Sequence, residues 1–524
     1  MAFMNERTYL NAVEDGAVED FHSLYEAAIE KIRGAFGKEH PNYIGGKEVK
    51  SKDGTFEDRS PCDGRILLGT FQKGTREDAK KAVKAAKGAF DAWANTDHRL
   101  RAKILLKAAN IMARKKYHLA ALMSFENGKN RYESIADVDE AIDLVRWYCG
   151  ELLVSNGFER EMGRYTSNER TKSILMPYGV WAVVSPFNFP LAITAGMTTG
   201  AVVTGNTAVL KPASDTPFMA IELYRALAEA GLPPGALNFI TGPGSTVGQE
   251  LIESRDVAGL VFTGSREVGL SAFKTFTAVF PKPIITELGG KNATIVTSKA
   301  DIDKAAEGVA KAAFGYAGQK CSACSRVLVH KNVKDRFVRK LVAYTQTLKV
   351  GNPTQRDVFM GPVVNKAAYD KFQEVATAAR KDGKVLIGGG VKKEKELKNG
   401  YYVEPTIIDA LPLKHRFLSE ELFLPVLAVA EFSSFDEAID IANSVDYGLT
   451  GGIFSKDEKE IQEFFRRAET GTLYANRTMG ATTGAIVGAQ PFVGWKMSGI
   501  SGKGAGGIHY LQQFMRERSQ TTYL

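Results

Sequence analysis

Apolar residues along this chain follow two periods, and the change between them falls near residue 179. Val18, Phe21, Leu24, Tyr25, Ala28, Ile29 and Ile32 recur at steps of three and four, which predicts an amphipathic helix over 17–33. Ala82, Val83, Ala86, Phe90 and Trp93 repeat the pattern over 75–93, where Thr75 and Asp78 have capping-box spacing. By this criterion the chain is mostly helical to about residue 155. From Gly179, short apolar runs alternate with helical stretches. Residues 180–185, 208–212, 236–240 and 259–262 read as buried strands, and 217–230 as a helix stopped by Gly231-Leu232-Pro233-Pro234-Gly235. Such alternation predicts an α/β fold with a parallel, doubly wound sheet, whose ligands sit at the carboxyl ends of strands. A second alternating region runs from about Glu287 to Asn476, with strands over 293–296, 326–330 and 452–455 and helices over 334–348, 366–381 and 434–446. The tail beyond Gly502 reads as a β-type segment, which either pairs with another subunit's edge or frays.

Composition narrows the class. A chain of 524 residues divides into two or three domains, and 44% apolar with 24% charged residues is a soluble globular balance. Four cysteines, at 62, 149, 321 and 324, are too few and too scattered for a disulfide framework, so a reducing, cytoplasmic setting is expected. Residues 1–6 lack the charged-then-apolar order of a signal peptide. The stretch from Ser173 to Leu210 carries no charge and has the length of a membrane span, but Pro177, Pro186, Asn188 and Pro190 break it. A net charge of +8, with basic and acidic residues interleaved, offers no stripe for nucleic acid.

Candidate chemistry gathers at the predicted strand ends: Asn188, Lys211, Ser214, Gly264 and Ser265. Gly264-Ser265-Arg266-Glu267-Val268-Gly269 follows a strand and opens a helix, where free N–H groups bind phosphate. Lys211 ends a strand, within reach of ribose hydroxyls or a phosphate. Asn188, between aromatics and prolines, has the amide to hold an oxyanion or simply to form a turn. Glu287 closes an apolar run, where a carboxylate needs a task or a partner. Cys321 and Cys324 form a Cys-x-x-Cys. A structural zinc site lacks a second ligand pair, and a redox dithiol lacks its usual context, which leaves one nucleophile and a bystander.

Taken together, these residues resemble the aldehyde dehydrogenase superfamily over nearly the full chain. The motifs are Ser-Pro-Phe-Asn-Phe-Pro at 185–190, Lys-Pro-Ala at 211–213, Phe-Thr-Gly-Ser at 262–265 with Gly269, Glu-Leu-Gly-Gly-Lys at 287–291, Gly-Gln-Lys-Cys at 318–321 and Glu-Glu-Leu-Phe at 420–423. Within it, 318–326 and 483–492 resemble the branch acting on L-glutamate γ-semialdehyde. The resemblance implies a Rossmann-type cofactor domain (1–157 and 178–286), an α/β catalytic domain (287–476) and a small β oligomerisation arm (158–177 and 497–524). It implies that Cys321 is the nucleophile, Glu287 the general base, and Asn188 with the Cys321 backbone N–H the oxyanion hole. Lys211 and Glu421 would hold the two riboses and Ser265 the pyrophosphate, with Ser185, Ser214, Gly264 and Gly269 also lining the cofactor site and Phe423 near the nicotinamide. Ser322, Gly484 and Ala485 would receive the α-carboxylate, with Phe187 and Phe492 flanking the methylene chain.

The implied cofactor is NAD. Ser214 stands where many NAD-preferring relatives have Glu, so NADP remains open. The implied activity is oxidation of the semialdehyde to L-glutamate through a cysteine thioester, in proline catabolism, by a cytoplasmic homo-oligomer (dimer or higher) without metal. Rival readings are another semialdehyde or broad aldehyde substrates, acyl transfer to coenzyme A, and an inactive binding relative. Three departures bear on the substrate end: Val493 after Pro-Phe, Leu424 in place of Gly, and a longer segment over 477–483.

Overall fold

The change of period near residue 179 marks the first central strand of a seven-stranded sheet. In the computed structural model, which describes residues 3–478 and 486–524, its order is Ile284–Glu287, Val257–Thr263, Val180–Val184, Thr207–Lys211, Leu237–Phe239, Asn42–Ile44 and Lys47–Val49. The first five run parallel, and the last two form an antiparallel hairpin at the edge. Alternate residues feed two cores. Val180 and Ala182 pack with Ala79, Ala82 and Ala272 on one face, while Trp181 and Val183 join the larger helical core on the other. Both faces are therefore covered, as a doubly wound sheet requires.

The helices start and stop where local chemistry dictates. Thr75 and Asp78 form the full capping box of Arg76–Ala94. Pro217–Ala230 begins on a proline and ends at Gly231, which takes the left-handed φ of +101°. Two expectations are corrected. Leu24 is 52% exposed, so the buried stripe of Val18–Arg33 is Phe21, Tyr25, Ala28, Ile29 and Ile32 without it. The helical reading to residue 155 fails over 38–72, which holds the strands Lys38–His40, Asn42–Ile44, Lys47–Val49, Thr55–Arg59 and Leu67–Gln72. These strands are short, three to six residues, too short to show a clear period, and pairing with partners such as Phe239 against Tyr43 stabilises them instead.

A second seven-stranded sheet runs Lys384–Ile387, Thr406–Asp409, Val426–Phe432, Cys324–His330, Asn292–Val296, Thr450–Phe454 and Thr472–Ala475, around its own core. Only four residues separate its Asn292 from Glu287, the last residue of the first sheet. A third, antiparallel sheet joins Met515–Tyr523 to Glu169–Pro177 and Glu159–Glu161. The tail is thus paired within its own chain over nine residues, from Met515 against Pro177 to Tyr523 against Glu169, and does not fray. The uncharged stretch from 173 to 210 resolves into the end of that arm strand, two central strands, and the twelve-residue helix Ala192–Val203. Among the described residues no helix is long and apolar enough to cross a membrane.

Candidate active site and nucleotide cleft

Parallel register lines up the candidate residues across the sheet's carboxyl edge. Thr263 pairs with Glu287, Phe262 with Val184 and Val184 with Lys211, so Ser185, Lys211, Gly264 and Glu287 share one rim. Lys211 is 5% exposed, its Nζ donates only to the Pro212 carbonyl at 2.8 Å, and burial pulls its pKa down to about 8. Ser185 is buried with its hydroxyl unpartnered. Ser265 caps Arg266–Phe276 by accepting from the Val268 N–H, so a free helix N-terminus faces this rim. Gly269 is there because a Cβ would overlap Leu288, the residue after Glu287. Glu421 comes from the loop before Val426–Phe432 of the second sheet. Its Oε1 accepts the Gly290 N–H at 2.8 Å, and burial raises its pKa to about 7. The unpartnered Ser185 hydroxyl and the Lys211 Nζ, which has one acceptor, leave donors on this rim for a dinucleotide. Ser214, by contrast, is exposed and uncharged.

The thiol and the carboxylate meet in one cavity of about 960 Å³, part of it open to solvent, with Cys321, Ser322, Glu287 and Phe492 in its wall. Cys321 follows a strained turn. Tyr316 (φ +48°), Ala317 (φ +52°) and Gly318 (φ +68°) are all left-handed, which costs about 1–3 kcal/mol for each non-glycine residue. Contacts from both sides hold the turn. Glu133 accepts the Tyr316 N–H at 3.1 Å and pairs with Lys320 at 2.6 Å, and the Gln319 amide accepts the Val364 N–H at 2.8 Å. Asn292 Nδ2 then donates to the Cys321 and Ala323 carbonyls at 2.8 and 2.9 Å. Burial, with the negative charges of Glu421 and Glu287, pushes the Cys321 thiol well above its usual range, while the Ser322 N–H pulls the other way. Glu287 Oε2 is buried without a partner, and burial raises this carboxyl well above 4.5 against one hydrogen bond from the Gly494 backbone.

Asn188 is buried in the loop after Val180–Val184, and neither it nor Phe187 belongs to the cavity wall. Phe187 instead meets Phe423 edge-on at 5.8 Å, which joins two rings expected on opposite sides of the reacting centre. Gly484 and Ala485 lie outside the described residues. Of the three departures, Leu424 is 4% exposed and packs into the second core, and Val493 bonds Thr472 away from the cavity. Neither side chain is part of the wall, although Val493 adjoins Phe492, which is, and the 477–483 segment lies largely outside the described residues. Several wall residues went unflagged in the sequence, among them Val487, Gln490, Tyr510 and one carboxylate. Glu140, on the helix Arg131–Val154, faces the cavity beside Leu144, four residues on, and burial raises it to about 7. Its only signal was an acid on the same helical face as an apolar residue. Among the described residues no cluster of metal-binding side chains forms.

A doubly wound sheet with a nucleotide-shaped rim, adjoining a cavity that holds a thiol and a carboxylate, defines a dinucleotide-linked enzyme of cysteine chemistry. The chain belongs to the aldehyde dehydrogenase family, whose sequence model matches residues 49–519. It is 39% identical over 511 residues to the 1-pyrroline-5-carboxylate dehydrogenase of Geobacillus sp. (strain WCH70), covering 96% of this chain and 97% of that one. The structure of 1-pyrroline-5-carboxylate dehydrogenase from Thermus with bound NAD is similar at a TM-score of 0.93 and 35% identity, covering 100% and 99% of the two chains. Proline utilization A (PutA) from Bdellovibrio bacteriovorus, inactivated by N-propargylglycine, gives a TM-score of 0.94 at 37% identity; the match covers 99% of this chain and 53% of that one, so this chain spans about half its length.

Proposed function

We propose that this chain oxidises L-glutamate γ-semialdehyde, the open form of 1-pyrroline-5-carboxylate, to L-glutamate, as a step of proline catabolism. The observation that carries the reading is one cavity presenting Cys321, Ser322, Glu287, Phe492 and the carboxylate of Glu140. An aldehyde that also bears an α-ammonium and an α-carboxylate fits it: Glu140 supplies an anion for the ammonium, and the Ser322 side takes the carboxylate with Gly484 and Ala485. The likeness to two named 1-pyrroline-5-carboxylate dehydrogenases over nearly the whole chain supports the same substrate.

The Cys321 thiol passes its proton to solvent in the open part of the cavity, and its sulfur attacks the aldehyde carbon to give a hemithioacetal. The Asn188 amide and the Cys321 N–H receive the charge that develops on oxygen, each donor worth about 10²–10³ in rate. NAD would be held at the rim by Lys211, Glu421, Ser265, Ser185 and the turn at Gly264 and Gly269, with Phe423 at the nicotinamide end, and would take up the hydride that the carbon loses on becoming a thioester. Glu287, its proton affinity raised by burial, then takes a proton from water, whose oxygen attacks the thioester and expels the Cys321 thiolate. Uncharged Ser214 offers nothing to repel a 2′-phosphate, so NADP is assayed alongside NAD. We divide the chain into a dinucleotide domain (1–157 and 178–286), a catalytic domain (287–476) and an arm (158–177 and 497–524) on which copies assemble as a dimer or higher. Four unpaired cysteines fit the cytoplasm.

The test is pre-steady-state. Glu287→Gln should release one equivalent of reduced cofactor per site in a burst and then turn over about 10²–10⁴ times more slowly. Unchanged turnover refutes Glu287 as the base. Steady-state rates that favour succinic semialdehyde over the cyclic imine refute the substrate.

A further inference from the structure

The cavity wall is braced by a segment far away in sequence. Val487, 6% exposed, lines the cavity, and its carbonyl accepts a hydrogen bond from Asn5 Nδ2 at 3.0 Å. The same nitrogen donates to Asp143 Oδ2 at 3.1 Å. A primary amide has two N–H bonds on one atom, so Asn5 bridges two acceptors without adding charge. Its neighbours fix it there. The Glu6 N–H donates to the Asp143 carboxylate at 3.0 Å, and Thr8 donates to Asp139 through its N–H at 2.8 Å and its hydroxyl at 2.7 Å. Glu6 in turn pairs with Lys116 and Arg146 at 2.7 and 2.6 Å. Phe3 packs edge-on against Trp147 at 5.2 Å, and these two rings close over Gly488 so tightly that a Cβ there would overlap Trp147. Asp139, Asp143 and Trp147 share the helix Arg131–Val154 with Glu140 and Leu144, which face the cavity.

We infer that residues 3–8 form a strap that sets the loop at 486–490, and with it the amino-acid end of the substrate pocket. The substrate consequence rests on the function proposed above. Val487 is held between the strap and the Gly506 region, where the Gly488 N–H donates to the Gly506 carbonyl at 2.9 Å. Nothing in the strap touches Cys321 or the nucleotide rim, so it acts by positioning and not by chemistry.

Asn5→Leu preserves side-chain size and removes both donors. Its KM for L-glutamate γ-semialdehyde should rise about tenfold, the equivalent of one to two lost hydrogen bonds, while kcat, and kcat/KM for propanal, stay within about twofold. Phe3→Ala, which spares the hydrogen bonds, should move KM in the same direction. Unchanged KM in both variants overturns the strap, and so does a parallel fall for both aldehydes, which marks a general loss of fold. A wild-type enzyme that does not prefer the semialdehyde to propanal refutes the functional reading instead. Amide hydrogen exchange over 486–490 should also be faster in Asn5→Leu, and equal rates likewise overturn the strap.

Discussion

Cys321 and Cys324 are three residues apart in very different surroundings. Cys321 lines the cavity, whereas Cys324 starts a strand of the second sheet and is 2% exposed, with its thiol against the Arg326 carbonyl. Cys321→Ala should therefore lower aldehyde oxidation by about 10⁴-fold or more, and Cys324→Ala should retain it within about threefold, read as steady-state cofactor reduction. Glu287 adds a pH signature. Its folded pKa is raised, so the base is protonated over a range where an ordinary carboxylate is ionised, and the acid limb of kcat should lie above about pH 4.5 and vanish in Glu287→Gln. Stability follows the same sign: the contribution is present below the unfolded pKa and lost as pH rises through the folded one. In the absence of ligands, Glu287→Gln should then melt higher than wild type near pH 8, with the gap closing toward about pH 4 in thermal scans. Glu140, raised to about 7, predicts that product binding weakens as pH falls below that value, and that Glu140→Gln removes the dependence in L-glutamate titrations.

At the level of elements, the contact between the helix Arg266–Phe276 and the turn after Glu287 couples cofactor to base. Gly269→Ala would drive a methyl into Leu288, an overpacking worth about 1–3 kcal/mol. It should weaken NAD binding by about tenfold in a fluorescence titration and slow thioester hydrolysis as well, because Leu288 carries Glu287 with it. This turn was legible in the sequence: an apolar strand, Gly-Ser and a helix are local signals, as were the capping box at Thr75 and the glycine stop at Gly231. The strands of 38–72 were not, because such short strands are stabilised by partners elsewhere in the chain. Nor was Glu140, whose meaning depends on which face of Arg131–Val154 meets the cavity. The family motifs pointed to Cys321 and Glu287, which one cavity brings together, while the strap through Asn5 left no pattern, since it joins positions 482 residues apart.

Across the whole molecule, two separately packed sheets meet at one short joint, residues 288–291, and at contacts such as the 3.0 Å bond from Asn365 to Asp215. All rim residues but Glu421 come from the first and the Cys321 turn from the second, so neither half carries a complete site. The arm is a third body, whose last strand is exposed from Arg516 onward. Removing 515–524 would strip Glu169–Pro177 of its partner and should shift the protein to smaller species in size-exclusion chromatography. Burial and two nearby carboxylates favour the thiol form of Cys321. Thiols react slowly with peroxide and alkylating agents, so this setting should slow both reactions at Cys321. Because oxidised NAD brings a positive ring toward that sulfur, its addition should speed iodoacetamide labelling of Cys321, arming the molecule when its co-reactant arrives.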